Sequence, residues 1–203
     1  MPKRVDHAER RAEIAEALLR VAGRRGLHAA RMRDVAAEAG VSLRLVQYYF
    51  DTKEKLLLYG LEHLTERFGE RVAARLRAAG DNPGPRAVIE AILTTSLPTD
   101  EAGRTFHLVY TSYAILAVTD EALASQPFIR SPEAAEEQLT DLLNKARDAN
   151  LTHPGTDPRL EATTLLALTA GLGTSILVGQ RSPESAVAVL ERQLDRIFRE
   201  RAS

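Results

Sequence analysis

The 203-residue chain has no cysteine and no tryptophan. Without thiols it has no disulfide framework, no thiolate zinc site and no cysteine nucleophile. Aromatic residues make up only 5%, so the core must be mostly aliphatic. Neither sign of charge dominates: 27 basic residues face 28 acidic ones. That balance excludes a uniformly basic nucleic-acid coat, but not a basic patch on one part of the chain. The N-terminal residues MPKRVDHAERRAEI lack the apolar run of a secretory signal, so the cytoplasm is the expected compartment. No HExxH, Walker loop, GxGxxG or GxSxG occurs, and the five histidines are scattered. No enzyme activity, metal or cofactor is expected.

Residues 162–179 carry no charge, which sets them at the lower limit for crossing a bilayer. The run also holds Thr163, Thr164, Thr169, Thr174, Ser175 and three glycines, and no aromatic anchors flank it. It reads as a helix covered by protein, not a membrane span.

What is present begins with the distribution of charge. Residues 1–55 carry a net +4 and the remainder a net −5. A basic module on an acidic body fits a polyanion binder with a separate second function. No stretch alternates apolar and polar residues in the manner of a strand, whereas apolar residues recur at three and four positions throughout. The expected fold is all-α with about nine helices. These lie near 6–25, 32–39, 43–50, 53–79, 86–97, 101–119, 131–149, 159–180 and 183–201. Asp51, with Glu54 three residues on, reads as the cap of the fourth helix, and Ser182 caps the last, with Pro183 at its first position. Glu16 and Arg20 are spaced as an i,i+4 pair on the first helix. Gly80-Asp81-Asn82-Pro83-Gly84-Pro85 is a strong break. The division expected is a DNA-binding domain over 1–52 and a helical ligand-binding and dimerisation domain over 53–203.

Residues 32–50, MRDVAAEAGVSLRLVQYYF, read as two short helices joined by a tight turn at Gly40. Val35, Ala36, Ala39, Val46 and Phe50 would form the shared core, with Ser42 capping the second helix. The opposite face offers Arg44, Gln47 and Tyr48, with Leu43 also exposed. Arg can pair with guanine, Gln with adenine, and an apolar side chain can meet a thymine methyl, which is what a recognition helix in a major groove needs. Lys53 at the next helix start, the Tyr48 and Tyr49 hydroxyls, and Arg31 and Arg33 are candidate phosphate contacts. Lys3 and Arg4 could form a loose arm.

Ala39-Gly40-Val41-Ser42, Tyr48-Tyr49-Phe50 and Lys53-Glu54-Lys55-Leu56 together resemble the TetR family of one-component transcriptional regulators. The resemblance covers about the first 65 residues. It implies a homodimer, a palindromic double-stranded operator, repression as the default, and an effector pocket in the C-terminal part. It also implies DNA contacts at Arg33, Ser42, Leu43, Arg44, Gln47, Tyr49 and Lys53. Arg44 stands where Gly or Pro is frequent, and Gln47 where Tyr is frequent. Asp100-Glu101-Ala102-Gly103-Arg104, with Asp120-Glu121, is similar to the choline-sensing subgroup, although the chain lacks that subgroup's Trp residues.

Val187, Leu190, Leu194 and Ile197 are spaced as a coiled-coil seam, and Ala167, Ala170, Gly171 and Thr174 allow close helix approach. Both sets are candidates for an intersubunit four-helix bundle. The helix after Pro98 is apolar over much of its circumference. Effector candidates are His63 and Phe68 on the fourth helix and Phe106, His107, Tyr110 and Tyr113 on that one, an apolar set with a few polar atoms. A DNA-binding repressor or architectural protein without an effector is the alternative, and a protein-binding helical adaptor a more distant one.

Overall fold

A computed structural model describes residues 7–125 and 132–199. Lys3 and Arg4 lie outside the described residues. Among the described residues ten α-helices follow in order: α1 (His7–Arg25), α2 (Met32–Glu38), α3 (Leu43–Phe50), α4 (Lys53–Ala79), α5 (Pro85–Ser96), α6 (Glu101–Ala117), α7 (Glu121–Ala124), α8 (Pro132–Asp148), α9 (Pro158–Leu177) and α10 (Pro183–Ile197). A single 3₁₀ turn, Leu27–Ala29, separates α1 from α2. Nine helices have at least seven residues, as the apolar spacing predicts, and the described residues contain no strand.

The chain divides into two compact units, 1–67 with 108–124, and 68–107 with 125–203. The division falls inside α4 and α6 rather than at the start of α4. In the first unit, α1 buries Ile14, Leu18 and Val21 beside Val35, Ala36, Val46 and Phe50 of α2 and α3. Each such side chain removed from water stabilises the unit by about 1.5–3 kcal/mol before entropy is counted. Tyr113 of α6 is fully buried here, and its hydroxyl donates to the Leu57 carbonyl at 2.7 Å.

The polar edge of α1 is used for tertiary pairing, not for the i,i+4 pair expected within the helix. Glu16 accepts from His63 Nε2 at 2.9 Å and from Arg67, both on α4, while Arg20 Nε donates to Glu38 of α2 at 2.8 Å. The cap of α4 also differs from expectation. Thr52 Oγ1 accepts the Lys55 N–H at 3.3 Å, and the Asp51 carboxylate instead pairs with Lys55 Nζ at 2.9 Å. Asp51 sits at φ 59, outside the helix, which moves its side chain off the cap position.

The second unit has one aliphatic core. Ile89, Leu93 and Leu97, Leu139 and Leu143, Ala162, Leu165 and Leu172, and Leu190, Leu194 and Ile197 meet in it from α5, α8, α9 and α10. Helix starts are well capped. Asp157 accepts the Arg159 and Leu160 N–H groups at 3.0 and 3.2 Å, and Ser182 accepts that of Ser185 at 3.2 Å. The last helix ends at Ile197, four residues earlier than its periodicity suggests. The chain leaves it extended, and Phe198 pairs with Thr152 across a bridge flanked by His153 N–H to Ile197 O and Arg199 N–H to Leu151 O.

Leu190, Leu194 and Ile197 are 0–1% exposed, so they close the chain's own core and are not open to a second subunit. Their burial in one chain shows what they pack against there. Val187 is half-buried against the same core. The uncharged run on α9 is two-sided: Ala162, Leu165, Thr169, Leu172 and Gly173 point inward, whereas Ala167, Gly171 and Thr174 are exposed between Leu160 and Val178. By length and composition alone α9 could cross a membrane, with 28% of its apolar window buried.

Gly173 is a close-approach position. A Cβ there would overlap the His107 ring of α6. Gly173→Ala should therefore destabilise the protein by about 1–3 kcal/mol through overpacking. Urea unfolding measures this, and an unchanged midpoint would show that the α6–α9 contact is looser than described.

Candidate functional site

The recognition element is fixed by a turn and a cap. Gly40 lies at φ +67, a conformation that costs L-residues about 1–2 kcal/mol and glycine little. It forms a Schellman stop for α2: Val41 N–H donates to Ala36 O at 2.9 Å and Gly40 N–H to Ala37 O at 3.2 Å. Ser42 then accepts the Leu45 N–H at 3.2 Å and starts α3. Val46 and Phe50, one turn apart, are buried and set the rotation of the helix. That rotation exposes Leu43, Arg44, Gln47 and Tyr48; Tyr48 is 72% exposed. Arg31, Arg33 and Ser42 are also exposed, while Tyr49 and Lys53 are half-buried.

Electrostatics separates structural from available cations. Arg10 pairs with Glu13, Arg20 and Arg24 with Glu38, Arg25 with Asp34, and Lys55 with Asp51. The two guanidinium groups on Glu38 hold its carboxyl below the usual range. Arg11 lies over the Tyr59 ring at 4.4 Å. Among the described residues of this unit, Arg31, Arg33 and Arg44 have no carboxylate partner. The Lys53 ammonium reaches the His28 carbonyl at 3.5 Å, which leaves its other N–H groups free for an anion. Tyr49 is braced by Tyr48, edge-on at 5.2 Å, and its hydroxyl meets His7 Nδ1 at 3.1 Å. The contact with His7 was not legible in the sequence, because the partners lie 42 residues apart without a shared motif.

The six effector candidates divide between the two units. His63, Tyr110 and Tyr113 belong to the first unit and Phe68, Phe106 and His107 to the second. His63 is engaged by Glu16, and the Tyr113 hydroxyl by Leu57 O, so their polar atoms already have structural partners. Burial pushes the Tyr113 phenol well up, and the Tyr110 phenol upward as well. Phe68 and Phe106 stack at 4.5 Å with planes 19° apart. His107 is 7% exposed; Nδ1 lies 3.4 Å from Ser96 O, and buried Nε2 has no partner among the described residues. Two surface clefts of about 440 Å³ lie elsewhere, one lined by Val21, Arg24, Arg25, Asp34, Ala37 and Glu38, the other by Arg86, His153, Asp195 and Phe198.

A capped, glycine-turned helix pair presenting unpaired cations and amide groups defines a helix-turn-helix module of the DNA-binding regulators. Comparison with known proteins agrees. Residues 14–59 match the profile of bacterial regulatory proteins, tetR family, and residues 85–199 that of the BetI-type transcriptional repressor C-terminal region. The HTH-type transcriptional regulator PksA of Bacillus subtilis is 30% identical over 172 residues, covering 85% of this chain and 80% of that one. A BetI regulator of Agrobacterium fabrum is 37% identical over 102 residues, 50% of this chain and 48% of its own length. A TetR-family regulator from Rhodococcus sp. superposes with TM-score 0.78 at 27% identity over 94% of this chain and 99% of its own. A regulator from Saccharomonospora viridis solved with choline shares the fold, with TM-score 0.84 at 23% identity over 95% and 100%. The chain belongs to the TetR family of transcriptional regulators, with a BetI-type C-terminal region.

Burial holds the His107 imidazole below its ordinary 6.5, with the Ser96 carbonyl only partly opposing the shift. The unfolded chain therefore binds a proton that the folded chain resists, and stability must fall as pH drops below about 6.5. Thermal midpoints from pH 8 to 5 should decline less steeply in His107→Gln than in the wild type; parallel curves would contradict a neutral buried imidazole.

Proposed function

We propose that the protein is a ligand-responsive repressor that binds a palindromic operator as a homodimer and releases it on binding a small amphipathic effector. The observation that carries this reading is the set of uncommitted donors on the helix-turn-helix module. Arg31, Arg33 and Arg44 are exposed and unpaired, beside exposed Gln47 and Tyr48. Arg44 and Gln47 read base edges, Leu43 meets a thymine methyl, and Arg31, Arg33, Ser42, Tyr48, Tyr49 and Lys53 hold phosphates.

The dimer face in this reading is the outward side of α9. Leu160, Ala167, Gly171, Thr174 and Val178 leave it uncharged over its length, and small residues let two helix backbones approach. A second copy then covers the uncharged run, which supports a soluble cytoplasmic protein. Two recognition helices in such a dimer meet half-sites about 34–36 Å apart. The effector engages Phe68, Phe106 and His107. Neutral His107, donating from Nδ1 to Ser96, offers Nε2 as an acceptor, so the effector supplies a hydroxyl or N–H donor together with an apolar body. Helix α4 runs unbroken from Lys53 past Phe68 to Ala79, so an effector that binds one α4 orientation better shifts the operator-binding state. Choline, seen in the Saccharomonospora regulator, is a natural first probe for thermal-shift measurement.

Selection of bound duplexes from a random pool should return a palindrome. On that operator Arg44→Ala should cost about 1–3 kcal/mol and relax preference at one position. Lys53→Ala should weaken all sequences alike and lower the salt slope by about 1. Failure to enrich any duplex would overturn the reading, and a sequence-selective Lys53 effect would remove that residue from the phosphate set.

A further inference from the structure

We propose that Arg11 is a further phosphate-binding residue of the DNA interface, supplied by α1 and not by the helix-turn-helix pair. The inference rests on the DNA-facing reading of α3 given above. The Arg11 guanidinium carbon lies 4.4 Å from the centroid of the Tyr59 ring and 5.4 Å from that of Phe50. Those two rings touch each other, 5.4 Å apart at 52°. The guanidinium thus rests on an aromatic cradle built from the end of α3 and the first turns of α4.

A ring and a carboxylate hold a cation in different ways. A carboxylate cancels the charge and occupies the N–H groups. An aromatic face has no net charge; it orders the guanidinium and leaves both its charge and its in-plane donors in place. The other arginines of α1 are of the first kind: Arg10 binds Glu13, Arg20 and Arg24 bind Glu38, and Arg25 reaches Asp34. Arg11 is of the second kind, with no carboxylate partner among the described residues. The residue is half-buried, and its Nε is enclosed without a partner among those residues. The outer pair of nitrogens is therefore the end of the fork that an anion meets. A planar fork ordered in advance suits a phosphate, which it can bind through two N–H groups at once.

The neighbour one turn earlier sets the place of this cation. His7 and Arg11 are four residues apart and share one edge of α1. His7 Nδ1 meets the Tyr49 hydroxyl at 3.1 Å, and Arg11 lies over Phe50, the next residue of α3. That edge of α1 therefore runs along the end of α3 that carries Tyr49. In the proposed interface the Tyr49 hydroxyl holds a backbone phosphate, and Arg11 serves the same stretch of backbone. Its ligand is the phosphodiester of double-stranded DNA, so its contribution is independent of base sequence.

The test is duplex binding by fluorescence anisotropy across a salt series, on the operator selected as above and on an unrelated duplex of equal length. Arg11→Gln and Arg11→Met should weaken both duplexes alike, and each should flatten the slope of log affinity against log salt by about 0.9. Met keeps an apolar stem over the Tyr59 ring and Gln keeps a polar tip, so the measurement does not depend on one variant folding. Arg11→Lys keeps the charge but loses the planar stack, and its slope should stay at the wild-type value whatever its affinity. Arg10→Gln is the control. It removes one positive charge from the adjacent position, but that charge is held by Glu13, and the slope should not move. Neutral Arg11 variants with the wild-type slope would overturn the proposal and reduce Arg11 to a brace between α1, α3 and α4. An Arg10→Gln change as large as that of Arg11→Gln would also overturn it, because net charge alone would then account for both. A wild type that binds neither duplex at any salt would instead overturn the interface reading, and this inference with it.

Discussion

The burial of Val46 and Phe50 governs the recognition module. These two side chains, one turn apart on α3, are 0 and 2% exposed. Packing them against Val35 and Ala36 fixes how α3 is rotated about its own axis, and an α-helix has no freedom to redirect its side chains once that angle is set. Arg44, Gln47 and Tyr48 are exposed because Val46 and Phe50 are not. The Schellman stop at Gly40 and the Ser42 cap then set the direction of the helix. Backbone groups left open by the sharp turn are satisfied locally, so no water or partner is required to hold it.

The same logic runs in reverse in the second unit. There the inward faces of α5, α8, α9 and α10 are closed mainly with aliphatic side chains, and His107 is buried in the same unit along with Thr94, Thr95, Thr152 and Thr169. An imidazole beside Gly173, with an Nε2 that has no partner among the described residues, costs free energy that a leucine would not.

Much of this was legible in the sequence, and the misses share one cause. Helix positions, the Gly40 turn, the Ser42 and Ser182 caps and the exposed stripe on α3 all follow from local rules: period, cap chemistry and positive φ. The errors fall where a residue had two possible partners. Glu16 has Arg20 at i,i+4 but chooses His63 and Arg67 of α4, because α1 packs there and a tertiary pair excludes the local one. Leu190, Leu194 and Ile197 have a seam's spacing, yet spacing cannot say whether the facing surface belongs to the same chain. Here α5, α8 and α9 supply it. The Tyr113 hydroxyl and His63 Nε2 likewise have partners inside the fold that residue type alone does not reveal.

Charge patterning illustrates the difference between a sum and an arrangement. The N-terminal excess of four positive charges is modest, and by itself argues weakly for a polyanion partner. The structure shows why the sum understates the site. The acidic residues of the module are not spread evenly over its cations; Glu13, Glu38, Asp34 and Asp51 bind Arg10, Arg20, Arg24, Arg25 and Lys55. Arg20, Arg24 and Arg25 join α1 to α2, Arg10 pairs within α1 and Lys55 pairs across the turn at Asp51, so their fields are largely neutralised at the distance of a ligand. Among the described residues Arg31, Arg33 and Arg44, on the helix-turn-helix pair itself, have no carboxylate partner, as is true of Arg11 and Lys53. A protein can therefore be near neutral overall and still place its unbalanced charge on the elements that meet a phosphate backbone, because pairing removes the rest from the balance.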